Sequence, residues 1–459
     1  LRILAYNPPG YAMMRLISTL ICLFLPGLLL LGCQAPARRP APTPSSWPGP
    51  VTRTPAPVGP IPSPQSASTP APITDTLTLT WWTPEFLSPK ASGPVGPLLA
   101  GQIADFEAVH AGKVRISTVI KARYGKGGLL DFLRTAQPVA PSLLPDVIAL
   151  DLVEVEQAAA LGLVQPLDGL LPREITPTLY AFARQSGQLD GRTLAVPWVA
   201  DAEHVVYDRH RVSTPPDTWT GVLAEKITYL FPAGSPQSLS VTGLTEDVQS
   251  TFLAQYFSAG AGLDARTRRL TVQEQPLVRV LNFYRDATEA GLLPKNAINL
   301  VGLDECWTIY AQGGAALANV SARRYLANRE SLSDTGYALM PGWANPAPSV
   351  AGGWALLVTA TDPARQKAAA DFIAWLLMPE RAGALAQAAG WLPTSPPALA
   401  TWGVNPYFEF LDRLLSSAIA RPVGPEYTAA AGRLQRAVVA VLKNGSPPAE
   451  AAQAAVSTK

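Results

Sequence analysis

The sequence predicts an α/β protein with a mainly parallel sheet, built as two lobes with a hinge between them. Three observations lead there. From residue 76 on, short apolar strand signals alternate with amphipathic helix signals. Two stretches, 195–207 and 351–358, interrupt that alternation. Between them runs a long, mostly helical section with few strands, about 244–330. A chain that leaves one α/β lobe, builds a second and returns makes this pattern, and a ligand then binds between the lobes near strand C-termini.

The elements follow in order. Leu77-Thr78-Leu79-Thr80-Trp81 alternates apolar with β-branched residues and predicts a strand. Residues 98–110 place Leu99, Ile103, Phe106 and Val109 or His110 on one helical face. Val114 to Ile120 is a second strand. Gly128 to Thr135 starts a helix after a glycine loop. Pro145 to Leu150 is a short buried strand, followed by Asp151 and a helix over 152–161. In 195–207, Pro197 and Trp198 precede a β-rich run. In 351–358, two glycines and Trp354 lead into a buried strand. Trp375, beside Phe372, Ile373 and Leu376, belongs to a helix core face.

Composition narrows the function. The 459 residues are 48% hydrophobic and 15% charged, enough to build a large core. Residues 1–75 hold five of the 36 basic residues and one of the 34 acids, leaving 31 basic and 33 acidic residues for 76–459. A near-neutral folded part without a basic run argues against nucleic acid and against a polyanionic substrate. Of Cys22, Cys33 and Cys306, only Cys306 lies in the folded part, so no disulfide is expected inside it. His110, His204 and His210 lack metal-ligand spacing, so neither a metal nor a cofactor is expected.

Residues 1–33 read as an address. Arg15 is a short positive region, Leu16 to Leu31 an apolar run broken by Pro26 and Gly27, and Leu30-Leu31-Gly32-Cys33 resembles the bacterial lipobox. In that motif the cysteine thiol takes a diacylglyceryl group. The alternative is an N-terminal membrane helix with an incidental cysteine. Residues 1–12 precede Met13 and read as a mis-set start or an upstream extension. Residues 34–75, rich in Pro, Ala, Ser and Thr, cannot bury enough apolar surface to fold and read as a disordered tether. In a polyproline II conformation at ~3.1 Å per residue such a tether is long enough to hold a domain well clear of a bilayer.

Four segments carry a family resemblance. They are Leu77–Thr83, Pro145–Leu171, Gly191–Asp208 and Ala351–Thr394; the last runs from GGWALLV through Asp362-Pro363 and two helices to Gly390-Trp391-Leu392-Pro393-Thr394. Their ordered set resembles the family 1 extracellular solute-binding proteins, the maltose- and sugar-type substrate-binding lipoproteins of ABC importers. Asp208 departs from the family, which often has Asn there, and so does Gln312-Gly313-Gly314-Ala315-Ala316.

The resemblance implies a periplasmic-binding-protein type II fold. Residues 76–203 and 355–392 would form an N-terminal lobe, and 204–354 and 393–459 a C-terminal one, with crossings at about 200–206 and 350–355. It implies capture of a small solute, with a mono- or oligosaccharide favoured, and delivery to ABC permease subunits. The protein would be a monomer held on the cell surface or the periplasmic face of the membrane through Cys33. A polyamine, a phosphate ester or an iron complex are alternative cargoes on the same fold, and a cleft lined by acids would favour the polyamine.

Sugar binding needs flat aromatic faces and polar groups at strand ends. Trp81, Trp82, Trp198, Trp307, Trp354 and Trp391 stand at motif ends, each with packed aromatic as the alternative; alternation lets only one of Trp81 and Trp82 face a cleft. Polar candidates are Glu85, Tyr124, Asp151, Asp201 and Asn319, with Lys126 and Ser321 in the same loops. Asp151 and Asp201 could equally be caps or turn residues. The glycine loop at 125–128 could hold an anion but lacks P-loop spacing. Arg421 is expected at the surface. Asp201 and Glu203 could form a glycosidase pair, but nucleophile-elbow, zincin and dinucleotide signatures are all missing, and no catalytic residue is assigned.

Overall fold

The computed structural model describes residues 76–236, 247–264 and 269–457. The expected signal segment, Cys33 and the tether over 34–75 lie outside the described residues.

The strands are β1 (Leu77–Pro84), β2 (Val114–Lys121), β3 (Val147–Asp151), β4 (Gln188–Leu189), β5 (Arg192–Thr193), β6 (Val196–Asp201), β7 (Glu203–Asp208), β8 (Tyr229–Leu230), β9 (Leu317–Ser321), β10 (Thr335–Ala338), β11 (Val350–Val358) and β12 (Ile419–Ala420). The first sheet runs β12-β11-β3-β1-β2, with β6 also paired to β11. The second runs β10-β7-β9-β8, and β4 and β5 form a small ribbon. The first sheet is mixed rather than mainly parallel. β1 is parallel to β2 and β3, but β11 runs antiparallel to β3 and β6. The reason is topological: β11 brings the chain back from the second sheet and runs against β3 and β6, while β12 lies parallel to it.

Alternation along β1 puts helices on both faces. Trp81 meets Trp198 and, from the helix Pro363–Leu376, Phe372, with ring centroids 5.8 and 5.6 Å away. Trp82, on the opposite face, meets Phe132 of the helix Leu129–Ala136 at 5.3 Å. The helix Val95–Val109 buries Leu99, Ile103 and Phe106 as expected; of the two candidates for its last turn, Val109 is 68% exposed and His110 continues the face, its ring centroid 4.1 Å from that of Phe106. Trp375 is half-buried at the core edge, its indole N–H donating to the Gln102 carbonyl at 2.8 Å. Asp146 staples this layer. It accepts from the Thr80 amide at 2.7 Å and takes both prongs of Arg365 at 2.6 Å.

The chain passes from β6 in the first sheet to β7 in the second through the single residue Ala202. It returns along β11. There Gly353 (φ +150°) lies against β6 so closely that a Cβ would stand 2.1 Å from the Val199 carbonyl oxygen, which accounts for one of the paired glycines.

Two buried clusters surround the two sheets. The helices Glu274–Glu289, Pro425–Leu442 and Pro448–Ser457 fill the second. The helix Pro406–Ser417 packs Tyr407 and Phe410 against His204 of β7 and Tyr337 of β10 in the second sheet, and its Phe410, Leu411, Leu414 and Leu415 belong to the first cluster, which residues of both sheets share. The Tyr180 hydroxyl also donates to Asp412 in that helix at 2.6 Å.

Candidate functional site

The parallel strands β1, β2 and β3 end at one edge of the first sheet, and there the antiparallel β11 begins. Loop residues at that edge converge. β1 runs into the 3-10 turn Glu85–Leu87, which carries Phe86. β2 runs into Tyr124 and the glycine loop. β3 ends on Asp151, paired in register with Trp354 of β11.

Aromatic rings line the edge. Phe86 meets Trp354 edge-on at 5.4 Å and stacks on Trp391 at 5.8 Å, with Tyr124 5.9 Å from Trp354. Trp391 gets there by backbone design. Gly390 (φ +64°) stops the helix Pro379–Ala389 in a left-handed turn, and Leu392 then pairs with Ala200 of β6. Two guanidinium groups cover the rings, Arg123 over Phe86 at 4.7 Å and Arg323 over Trp391 at 3.7 Å.

The polar part of this edge is acidic. Asp151 caps the 3-10 turn Leu152–Glu154 by accepting from the Val153 amide at 3.1 Å, and accepts the Tyr124 hydroxyl at 2.5 Å. Burial raises its carboxyl above the usual range despite these donors. Burial and the charges of Asp151 and Glu154 push the Tyr124 hydroxyl up strongly. Glu154, three residues on, is wholly buried, and neither carboxylate oxygen has a hydrogen-bond partner. Burial first, then the Asp151 charge, push it up to about 8.

Asp201 joins the two sheets. From the end of β6 it accepts the Ser321 hydroxyl at 2.6 Å, the Ala202 amide at 2.9 Å and the Arg323 amide at 3.3 Å. It thereby caps the helix Ala322–Asn328 from another element. Arg323 also donates to the Gly390 carbonyl at 3.1 Å, linking this latch to Trp391. Glu203 faces elsewhere. It is 2% exposed and accepts from Thr251 at 2.5 Å and Asn319 at 3.2 Å, and burial pushes it up to about 7. Asp201 and Glu203 thus belong to different sheets and different networks.

The sequence candidates therefore separate. Tyr124, Asp151, Trp354 and Trp391 come together, Trp354 at 2% and Trp391 at 8% exposed with both packed on Phe86, and Asp201 is connected through Arg323. Glu85 is exposed on the adjoining turn. Trp81 and Trp198, both 0% exposed, are core residues packed on each other, and Trp82 is held between Phe132 and Lys121. Trp307 lies on the buried side of the helix Leu303–Ala311, against Tyr310. Asn319 is wholly buried, taking the Tyr229 hydroxyl at 2.6 Å and donating to Glu203. In the glycine loop, the Gly127 amide donates to Asp131 at 2.8 Å, so the chain's own carboxylate takes the place of an anion there.

Arg421 is a correction. Its side chain is 15% exposed and donates to Asp247, Ser250 and Tyr427 at 2.8 Å each, because the short β12 carries it under the second cluster. Sequence reasoning missed Phe86, Arg123, Glu154 and Arg323. Phe86 and Arg123 follow strands at the same positions that pointed to Glu85 and Tyr124. Nothing local marks Glu154. Among the described residues, no His, Cys, Asp and Glu cluster is placed to hold a metal, and no helix is long and apolar enough to cross a membrane.

The family model of bacterial extracellular solute-binding proteins matches residues 102–406, well over half of the chain. No curated protein sequence matches. Among solved structures, the cyclic α-maltosyl-1,6-maltose binding protein of Arthrobacter globiformis is similar at TM-score 0.66 and 19% identity, over 83% of this chain and 97% of that one. The sugar-binding protein MalE of Xanthomonas citri follows at 0.64 and 18%, over 83% and 95%. The GacH receptor of Streptomyces glaucescens stands at 0.61 and 18%, over 83% and 97%. At these identities the likeness establishes the fold, a periplasmic-type solute-binding architecture.

Proposed function

This chain belongs to the bacterial extracellular solute-binding proteins, and from that membership we propose that it captures a small solute at the edge formed by Tyr124, Asp151, Trp354 and Trp391. A mono- or oligosaccharide is the favoured solute, and ABC permease subunits are the recipients. The observation that carries this reading is the pairing of ring faces with a carboxylate at the C-terminal edge of parallel strands. Rings stack on the C–H face of a sugar while carboxylates and hydroxyls take its OH groups. The Arthrobacter relative binds a cyclic maltose derivative and the Streptomyces receptor was solved with acarbose, which favours the same ligand class.

In this reading the two sheets belong to lobes that close about Ala202 and β11, and the Asp201 latch sets their hinge. Residues 1–33 supply the lipid anchor at Cys33 and 34–75 the tether. The protein acts by binding and carries out no chemistry of its own, since its one carboxylate pair at the crossing is split between two networks. Scattering and thermal-shift measurements with maltose, maltotriose, acarbose, peptides and polyamines test the proposal. Compaction and a raised Tm with a saccharide are expected. No response to any of them would sink it.

A further inference from the structure

Two arginines from different sheets meet over one ring stack. Arg123 follows β2 of the first sheet and Arg323 follows β9 of the second. The Arg123 guanidinium stands 4.7 Å over Phe86, Phe86 stacks on Trp391 at 5.8 Å, and the Arg323 guanidinium stands 3.7 Å over Trp391. Among the described residues neither cation ion-pairs with an acid. The acids around them are engaged elsewhere or stay apart. Asp201 takes the Ser321 hydroxyl and the Ala202 and Arg323 amides, and Asp304 ion-pairs with Arg324 at 2.8 Å. Asp151 takes the Tyr124 hydroxyl and the Val153 amide, and Glu85 is exposed and in no ion pair. Arg323 gives its Nε–H to the Gly390 carbonyl at 3.1 Å, which fixes the group. Its two terminal nitrogens have no hydrogen bond among the described residues. Trp354 and Trp391 are 2% and 8% exposed, whereas Phe86 and Tyr124 are half-buried. A solute at this edge therefore meets guanidinium N–H groups and the Phe86 and Tyr124 rings before it meets an indole.

We propose that the solute is an acidic saccharide, whose carboxylate or sulfate group takes the terminal N–H groups of Arg323 with Arg123 as the second cation. Its sugar ring lies against Phe86 and Tyr124. The planar fork of a guanidinium matches two oxygens of a carboxylate or sulfate, and such charge-assisted bonds are about twice as strong as neutral ones. A neutral hydroxyl can accept one of these N–H groups but leaves two like charges facing the same stack without a counter-ion. The folded part as a whole is near neutral, with 31 basic and 33 acidic residues over 76–459, so the site fits one or two acid groups rather than a polyanion. This inference rests on the receptor reading above and names the class of its ligand.

The test is titration calorimetry on the intact chain at pH 7. It compares glucose with glucuronate and glucose 6-sulfate, and maltotriose with trigalacturonate, and includes free acetate and sulfate. The acidic sugars are expected to bind about tenfold or more tighter than their neutral counterparts. Arg323→Gln should bring that ratio down to about twofold, and Arg123→Gln should lower it about threefold. Arg123 is exposed, so its variant keeps the test decisive if Arg323→Gln fails to fold. A second readout separates charge from packing: raising NaCl from about 0.05 to about 0.5 M should shrink the ratio in wild type and barely move it in Arg323→Gln. Neutral sugars binding as tightly as acidic ones would overturn the inference and leave the receptor reading standing. A preference for acidic sugars that survives both variants would take it away from these arginines. Acetate or sulfate binding as tightly as the acidic sugars would overturn the saccharide commitment. No binding by any of them would remove the receptor reading and this inference together.

Discussion

Two carboxylate pairs stand at strand ends in this protein, Asp201 with Glu203 and Asp151 with Glu154, and the chain treats them in opposite ways. The first pair flanks the passage between sheets and is supplied with donors from distant elements: Ser321, Ala202 and the Arg323 amide on Asp201, Thr251 and Asn319 on Glu203. The second pair sits at the open edge of the first sheet, where Asp151 has two donors and Glu154 none. Residue type and spacing are nearly the same. What differs is the reach of the donors: the first pair draws them from distant elements, the second from its own turn and the neighbouring loop, while Glu203 Oε1, like both Glu154 oxygens, is left without an aligned donor.

The largest effect that separates the pairs is on stability at neutral pH. Asp201→Ala removes an acceptor shared by two backbone amides and a hydroxyl and uncaps the helix Ala322–Asn328. A loss of about 3 kcal/mol is expected from charged-acceptor bonds of this kind. Asp151→Ala loses one amide and one hydroxyl at a short 3-10 turn and should cost about 1 kcal/mol. Urea unfolding of both variants in the absence of ligand measures the difference. Equal losses would mean that Asp151 is as structural as Asp201.

That contrast also marks where sequence reasoning stops. The alternation in Leu77–Trp81, the Asp362-Pro363 helix start and the Gly390-Trp391 helix stop are local signals, and the structure uses each locally: β1, the Asp362 side chain accepting from the Arg365 amide, and the left-handed Gly390. Tyr124, Asp151, Trp354 and Trp391 were legible as candidates because strand ends and glycine pairs point to an edge. The fate of the remaining tryptophans was not. Trp81 ends one apolar run and Trp354 opens another, and both are buried, Trp81 by Phe372, 291 positions further along the chain, and Trp354 beside Phe86 and Tyr124; only tertiary packing decides that. Arg421 was misjudged for the same reason, because its partners Asp247 and Ser250 lie far back in the chain. The antiparallel entry of β11 follows from the return path of the chain, which no short motif encodes.

A pH titration of stability compares the second members of the pairs. Glu154 is held protonated up to about 8 against an ordinary value of 4.5, and Glu203 up to about 7. Between 4.5 and these values the folded chain binds more protons than the unfolded one, so both acids reduce stability as pH rises through that window, and the loss is complete above it. Glu154→Gln should therefore be more stable than wild type at pH 9, by on the order of 2 kcal/mol. Glu203→Gln should gain less, about 1 kcal/mol, because Thr251 and Asn319 already hold its ionised form. The wild-type slope between pH 5 and 8 should flatten in both variants, more in Glu154→Gln. A flat wild-type profile would show that neither acid is held protonated.

The smallest effect concerns neighbours in one turn. Glu85 is exposed, whereas Phe86, next to it, stacks on Trp391 and meets Trp354. Glu85→Ala should change stability by less than about 0.5 kcal/mol, as exposed positions do. Phe86→Ala should cost about 1 kcal/mol through the two ring contacts and should also uncover Trp391, lowering saccharide affinity. Tryptophan fluorescence can follow both, since Phe86 borders two indoles and Glu85 none. If Glu85→Ala instead abolished binding while Phe86→Ala left it intact, the ring faces would lose their place in the site. The carboxylates of the first sheet's edge would then have to carry recognition alone.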